Sequence, residues 1–151
     1  MPDNNKETHL TYQQKKSIDY TLRLREVLSE LPPFCKDYFR AIEPTTSAKT
    51  RISYAYDLRI FFKFLCEKNP AFKNGQIKDL TVEVLDRLLP VDIEEYQEYL
   101  KVYESHDHLV MNTEKGLARK MSSLRSYYNY YFKHQIIRTN PALFLSMPKL
   151  H

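Results

Sequence analysis

The chain has 151 residues, 42% of them hydrophobic, and 23 Lys and Arg against 19 Asp and Glu give a formal net charge of +4. That length suits one domain with a real core, and a composition of 2 Gly, no Trp, 12 Tyr and 8 Phe favours helices over turn-rich sheets, so the expected fold is all-α. No apolar run approaches the ~20 residues that span a bilayer, and the polar start MPDNNKETH lacks the apolar core of a secretory signal, which predicts a cytoplasmic protein with no membrane partner.

Residues 1–10 are polar and are expected to be disordered. From about 11 to 31, Ile18, Leu22, Leu24, Val27, Leu28 and Leu31 follow a helical pattern that Pro32-Pro33 closes. A second short helix follows, with Phe34, Cys35, Tyr38, Phe39 and Ile42 at helical spacing up to Glu43-Pro44. The Thr45-Thr46-Ser47 cluster reads as an N-cap for a helix over roughly 47–68 that turns Tyr54, Leu58, Phe61, Phe62 and Leu65 inward. Asn69-Pro70 and Asn74-Gly75 mark a loop over about 69–79. Between 76 and 105 eight acids stand against Lys78, Arg87 and Lys101, so this stretch should face away from any polyanion. Within it Thr81 is the expected cap of a short helix to about Leu89, and Asp92-x-x-Glu95 after Pro90 reads as a capping box opening another. A loop is expected from about 105 to 112, and no internal repeat is visible.

The last quarter carries the charge. Across 113–151 seven Lys or Arg (115, 119, 120, 125, 133, 138, 149) face one acid, Glu114. At 100° per residue Leu117, Met121, Leu124, Tyr128, Tyr131 and Phe132 share one stripe, while Lys115, Arg119, Ser122, Ser126 and Lys133 gather opposite. Small hydroxyls flanked by long cations suit a phosphate backbone, because the small residues permit close approach and the cations make charge-assisted bonds. An ordinary solvated face is the alternative reading of the same pattern.

Other chemistry has little support in the sequence. Cys35 and Cys66 sit on apolar stripes without C-x-x-C spacing and read as buried reduced thiols. His106-Asp107-His108 has metal-capable side chains, but no second cluster stands at ligand spacing. Tyr127-Tyr128 and Tyr130-Tyr131 each split between helix faces, so Tyr128 and Tyr131 read as core. Two glycines build no phosphate-cradling loop, and no cofactor or metal is expected.

Three stretches together resemble the tyrosine recombinase, or phage integrase, family. Thr46–Leu65 is similar to its opening core-binding helix at Thr50, Tyr54, Asp57, Leu58, Phe61 and Leu65. Asp79–Leu100 is similar to the pair of short helices that follows. The third stretch resembles the family's Leu-Arg and Asn-Pro signature at Ala118, Arg119, Ser123, Leu124, Arg125, Ser126, Tyr127, Ile137, Asn140, Pro141, Ala142, Pro148 and Lys149.

The resemblance implies a compact bundle of four to five main helices, SAM-like, with an extra N-terminal helical segment. Its expected division is a helical extension at 11–44, a core-binding domain at 45–147 and the start of a linker at 148–151. It implies duplex DNA at a recombination half-site as partner, self-association of the full-length protein as a tetramer on DNA, and service in DNA integration or excision, for a phage, a transposon or other mobile element, or a chromosome-dimer resolution system. The family's catalytic Arg, H-x-x-R and Tyr nucleophile are expected outside this chain: His134 and Arg138 are spaced H-x-x-x-R, and no catalytic residue is assigned. The expected DNA-binding residues are Lys49, Thr50 and Arg51 at a helix start, whose N–H groups and positive dipole end favour an anion, and Lys115, Arg119, Lys120, Ser122, Ser123, Arg125, Ser126 and Lys133. Two further readings stay open. Arg125 lies near the edge of the apolar stripe and also fits a structural role, and the whole chain also fits a helical protein-interaction or oligomerisation module.

Overall fold

Residues 9–145 are described by the computed structural model, and within them the chain forms six α-helices and one two-stranded sheet. Thr11 opens α1 (Tyr12–Glu30): its hydroxyl accepts the Gln14 N–H while the Gln14 side chain accepts the Thr11 N–H. Pro32 and Pro33 cannot extend that helix, and beyond them α2 (Cys35–Ile42) leads into a 3-10 turn, Glu43–Thr45. Ser47 then caps α3 (Ala48–Lys68) by accepting the Thr50 N–H at 3.1 Å. These three helices lie where the periodicity of the sequence puts them.

The acidic stretch differs in detail. Helix α4 (Glu83–Arg87) starts after Val82 with no side-chain cap, so Thr81 does not serve as one. Helix α5 (Pro90–Tyr99) begins at the proline itself, whose missing N–H costs nothing in a first turn. Asp92 is therefore inside the helix rather than ahead of it. Its Oδ2 accepts the Leu89 N–H at 2.7 Å and its Oδ1 accepts from Asn69 Nδ2 at 3.0 Å, which ties α5 to the end of α3.

The expected loop after α5 is an antiparallel hairpin of β1 (Val102–Ser105) and β2 (His108–Met111), with Val102 opposite Met111 and Ser105 opposite His108. Its two turn residues, His106 and Asp107, both have positive φ, 49° and 63°, as a type I′ turn demands. The sequence carries no Asn-Gly or Asp-Gly there, which hid the turn. Helix α6 (Glu114–Lys133) follows, capped by Thr113. It ends with Gln135 in a left-handed conformation, φ 59°, while the Gln135 and Ile136 N–H groups donate back to the Phe132 and Tyr131 carbonyls.

Helix α3 is the axis of the bundle, with Ile52, Ala55, Leu58, Phe61, Phe62 and Leu65 buried. Both α1 and α6 run along it in the same direction. Tyr20 lies by Ser47, Arg25 by Arg51, and Glu30 pairs with Arg59; Arg119 meets Ser53, Ser123 meets Asp57, and Tyr127 meets Phe62. Residue numbers rise together in both sets, so the N-terminal ends of α1, α3 and α6 point the same way.

Aromatic side chains fill the interior. Phe34, Tyr38, Phe62, Tyr127 and Tyr131 pack around the α2–α6 contact, edge to face except for the stacked Phe34–Tyr127 pair, and between α3 and α5 Tyr96 meets Phe61 edge to face and Phe64 at a tilt. Their hydroxyls are satisfied: Tyr128 donates to the Leu85 carbonyl, Tyr131 to the Phe34 carbonyl, Tyr38 bonds Ser126 Oγ, and Tyr127 contacts Cys35 Sγ at 3.0 Å. The all-α bundle is thus what forms, with one hairpin added. Among the described residues no helix is long and apolar enough to cross a membrane. Of the stretch 1–10 expected to be disordered, residues 1–8 lie outside the described residues, as does the expected linker at 148–151.

Candidate nucleic-acid interface

The buried side of α6 comprises Leu117, Met121, Leu124, Tyr127, Tyr128 and Tyr131. Phe132, expected in that stripe, is 39% exposed, and Tyr127, whose place the sequence left open, is fully buried. The hydrophobic direction is therefore rotated toward α3 and α2. This rotation decides which basic residues reach solvent.

Lys115 and Ser122 are exposed, and Ala118 and Arg125 are half-buried on the same face. Among the described residues the Arg125 side chain makes no hydrogen bond and no ion pair, so its guanidinium is free. Ala118 and Ser122 between the two cations leave room for close approach. Lys133 is exposed as well, but it stands about 27 Å from Lys115 along the helix axis.

The rest of the basic set turns inward around one carboxylate. Asp57 on α3 is 4% exposed; its Oδ2 accepts from Arg119 Nη1 at 2.9 Å and from Ser123 Oγ at 3.4 Å, and its Oδ1 lies 4.0 Å from Lys120 Nζ. Arg119 Nη1 also donates to Ser53 Oγ at 2.6 Å. Lys120 is buried and donates to Asn112 Oδ1 at 2.9 Å, while Asn112 Nδ2 donates to the Leu100 carbonyl. Gly116 keeps this arrangement open, since a Cβ there would come within 3.3 Å of Asn112 Oδ1. Burial raises the Asp57 carboxyl above its ordinary range, and Arg119 and Lys120 pull it back only in part; burial likewise lowers the Lys120 ammonium. Lys120 and Ser123 are thus joints between α6, α3 and the hairpin. Arg119, with 46% of its side chain exposed, reaches both the joint and solvent. Ser126 leans the other way, to the Tyr38 hydroxyl at 2.8 Å.

At the start of α3, Lys49 is exposed and Thr50 half-buried, its Oγ1 accepting from Ser47 Oγ at 3.0 Å. Arg51 is held instead by its own turn, Nη1 donating to the Thr46 and Glu43 carbonyls at 2.5 and 3.1 Å. Lys49 therefore stands in the first turn of α3, where it lines a groove with Lys16, Ser17 and Tyr20 of α1. The acids of α4 and α5 that reach solvent, Glu83, Glu94, Glu95 and Glu98, belong to separate elements.

The other reactive groups serve the fold. Burial raises Tyr127, Tyr128 and Tyr131, the opposite of what an activated phenol needs. Cys35 is a free buried thiol pushed up to about 12 by burial, and Cys66 is free and half-buried. His106, Asp107 and His108 stand at the hairpin turn, and the His134 ring lies 4.6 Å from that of Tyr130. Asp86 accepts the Arg138 and Thr139 N–H groups at 2.8 and 2.9 Å, fixing the segment that leads to buried Asn140. The sequence reading missed Asp57 as the hub of this site. A lone acid inside an apolar-periodic helix, in a chain with a basic helix to pair it, is the signal for it.

No family model matches the chain, and no solved structure matches it. Among curated proteins it is 33% identical over 129 residues to the tyrosine recombinase XerC of Caldanaerobacter subterraneus subsp. tengcongensis, covering 79% of this chain and 35% of that protein. It is 33% identical over 135 residues to the tyrosine recombinase XerC of Leptospira interrogans, covering 87% of this chain and 37% of that one. A third, from Anoxybacillus flavithermus, is 29% identical over 109 residues. The chain spans about a third of the length of these relatives. With sequence similarity of this extent over most of its residues, the chain belongs to the tyrosine recombinase family.

Proposed function

We propose that this chain is the core-binding domain of a tyrosine-type site-specific recombinase, the part that grips duplex DNA at a recombination half-site while strand exchange is performed by other parts of the full-length protein. The observation that carries this reading is the free cationic face of α6, Lys115 and Arg125 around Ala118 and Ser122, with Lys49 at the parallel start of α3; Glu114 is the one acid of α6, and the exposed acids of α4 and α5 stand on separate elements. Cations on a rigid helix with small residues between them approach phosphates closely, and the released counterions supply affinity. Arg119, anchored by Asp57 and Ser53, offers a preset guanidinium at the edge of that face. Lys120, Ser123 and Ser126 act by holding the face in place.

The full-length protein is proposed to act in the cytoplasm on DNA as a tetramer, with its catalytic Arg, H-x-x-R and Tyr outside this chain. The chief rival is a protein-interaction module, favoured by the exposed apolar face of the hairpin, where Val102, Leu109 and Met111 are 54%, 74% and 79% exposed. Reversing three charges decides between them. In Lys49→Glu, Lys115→Glu, Arg125→Glu, retention on immobilised duplex DNA is lost while the helical circular dichroism stays as in the parent. Retained DNA binding, or loss of self-association alone, rejects the DNA-holding role.

A further inference from the structure

Helices α1 and α2 and the start of α3 enclose a surface cleft of about 350 Å³. Four cations line it, Arg25, Lys36, Arg40 and Arg51, against one acid, Glu43. Their partners are weak or set beneath them. Arg40 pairs only with Asp37, at 3.3 Å, with both side chains largely in solvent, an arrangement of small worth. Arg25 and Lys36 have no side-chain hydrogen bond or ion pair among the described residues. The Arg51 guanidinium is held to two backbone carbonyls, which fix its position without cancelling its charge. Like charges are not assembled around a groove for stability; the pattern fits an anion that comes from outside.

We infer that this cleft is a second phosphate-binding surface for duplex DNA, so that the α1–α2 segment lengthens the footprint of the domain. The inference rests on the DNA-holding role proposed above. Continuity supports a polyanion as occupant: the cleft and a second groove, lined by Lys16, Ser47 and Lys49, follow one another along α1. Lys16 and Lys49 in one groove and Arg25, Lys36, Arg40 and Arg51 in the other thus form a run of cations beside α1, as the closely spaced charges of a duplex require. Leu24, Leu28 and Phe39 give the cleft an apolar wall against which sugar carbons can pack.

The test uses the whole 151-residue chain and a fluorescent duplex of about 40 base pairs, titrated at several salt concentrations. In Arg25→Gln, Lys36→Gln, Arg40→Gln, the slope of log K against log salt becomes shallower by about 2 to 3, since each phosphate contact contributes about 0.9, and hydroxyl-radical protection shortens at one end. Arg51 is left intact because it holds its turn, and unchanged circular dichroism shows that the variant folds. If the parent binds with a steep slope and the variant keeps both slope and footprint, this inference falls and the DNA-holding role stands. If the parent shows no salt-dependent binding, both fall. If the variant loses self-association in sedimentation while its DNA slope is unchanged, the cleft receives an acidic protein surface and the inference is overturned.

Discussion

The Arg119 guanidinium donates to Asp57 Oδ2 at 2.9 Å across the contact between α6 and α3, joining an exposed cation to a buried carboxylate. Removing Arg119 leaves Asp57 charged and buried with only Ser123 Oγ at 3.4 Å and Lys120 at 4.0 Å, whereas removing the charge of Asp57 relieves a burial cost that already raises its carboxyl. Arg119→Ala should therefore destabilise the fold at neutral pH by about 2 kcal/mol, less than for a fully buried pair because Arg119 is partly in water. Asp57→Asn in the same chain should restore most of that. Urea denaturation of the two single variants and the double variant measures the coupling. The same geometry bears on DNA-binding tests, since Arg119→Glu places a second carboxylate beside Asp57 and confuses folding with binding.

Alkaline pH should unfold the chain. Burial pushes Cys35 from 9.0 and Tyr38 from 10.0 up to about 12, and raises Tyr96, Tyr127, Tyr128 and Tyr131 as well. The folded state then holds protons that the unfolded chain releases, so stability is intact below the ordinary thiol value and falls as pH rises from 9 toward 12. For Cys35 alone the full loss is about 4 kcal/mol at 1.36 kcal/mol per pH unit. Thermal melts followed by circular dichroism should shift steeply downward across that window, and Cys35→Ala should flatten the first part of the fall.

Four described residues other than glycine carry positive φ, Asn74 at 70°, His106 at 49°, Asp107 at 63° and Gln135 at 59°. Each holds a left-handed conformation that glycine adopts freely. Gln135→Gly should stabilise the end of α6 by about 0.5 to 1 kcal/mol, and His106→Asn with Asp107→Gly should do the same for the hairpin. Melting temperatures of the two variants check this; a fall in either contradicts the turn geometry.

Asp86 holds the chain beyond α6 by accepting from the Arg138 and Thr139 N–H groups and from Thr139 Oγ1. Asp86→Ala should cost about 1 to 2 kcal/mol and open the segment around Ile136–Asn140. Limited proteolysis should then cut there in the variant at protease levels that leave the parent intact.

The helix order was legible because apolar residues recur at helical spacing and prolines and hydroxyl caps mark the ends, as at Pro32-Pro33 and Ser47. The hairpin was hidden because its strands have four residues each and its turn uses His-Asp in place of the glycine-containing pairs. On α6 the wheel found the stripe but missed its rotation: Tyr127 packs fully inward and Phe132 does not. A period gives a face, not the partner that the face meets, and the partner here includes Asp57. That acid draws Arg119, Lys120 and Ser123 toward α3 and leaves Lys115, Ser122 and Arg125 outward, a division no single-helix count reveals.

The central claim, that the free cations of α3 and α6 hold the phosphates of a duplex, is tested most directly by the salt dependence of DNA affinity. Fluorescence anisotropy of a labelled duplex, titrated with the chain at rising salt, should give log K falling against log salt with a slope of about −3 or steeper, since Lys49, Lys115, Arg119 and Arg125 each displace about 0.9 counterion. A slope near zero, or no measurable binding at low salt, contradicts the account.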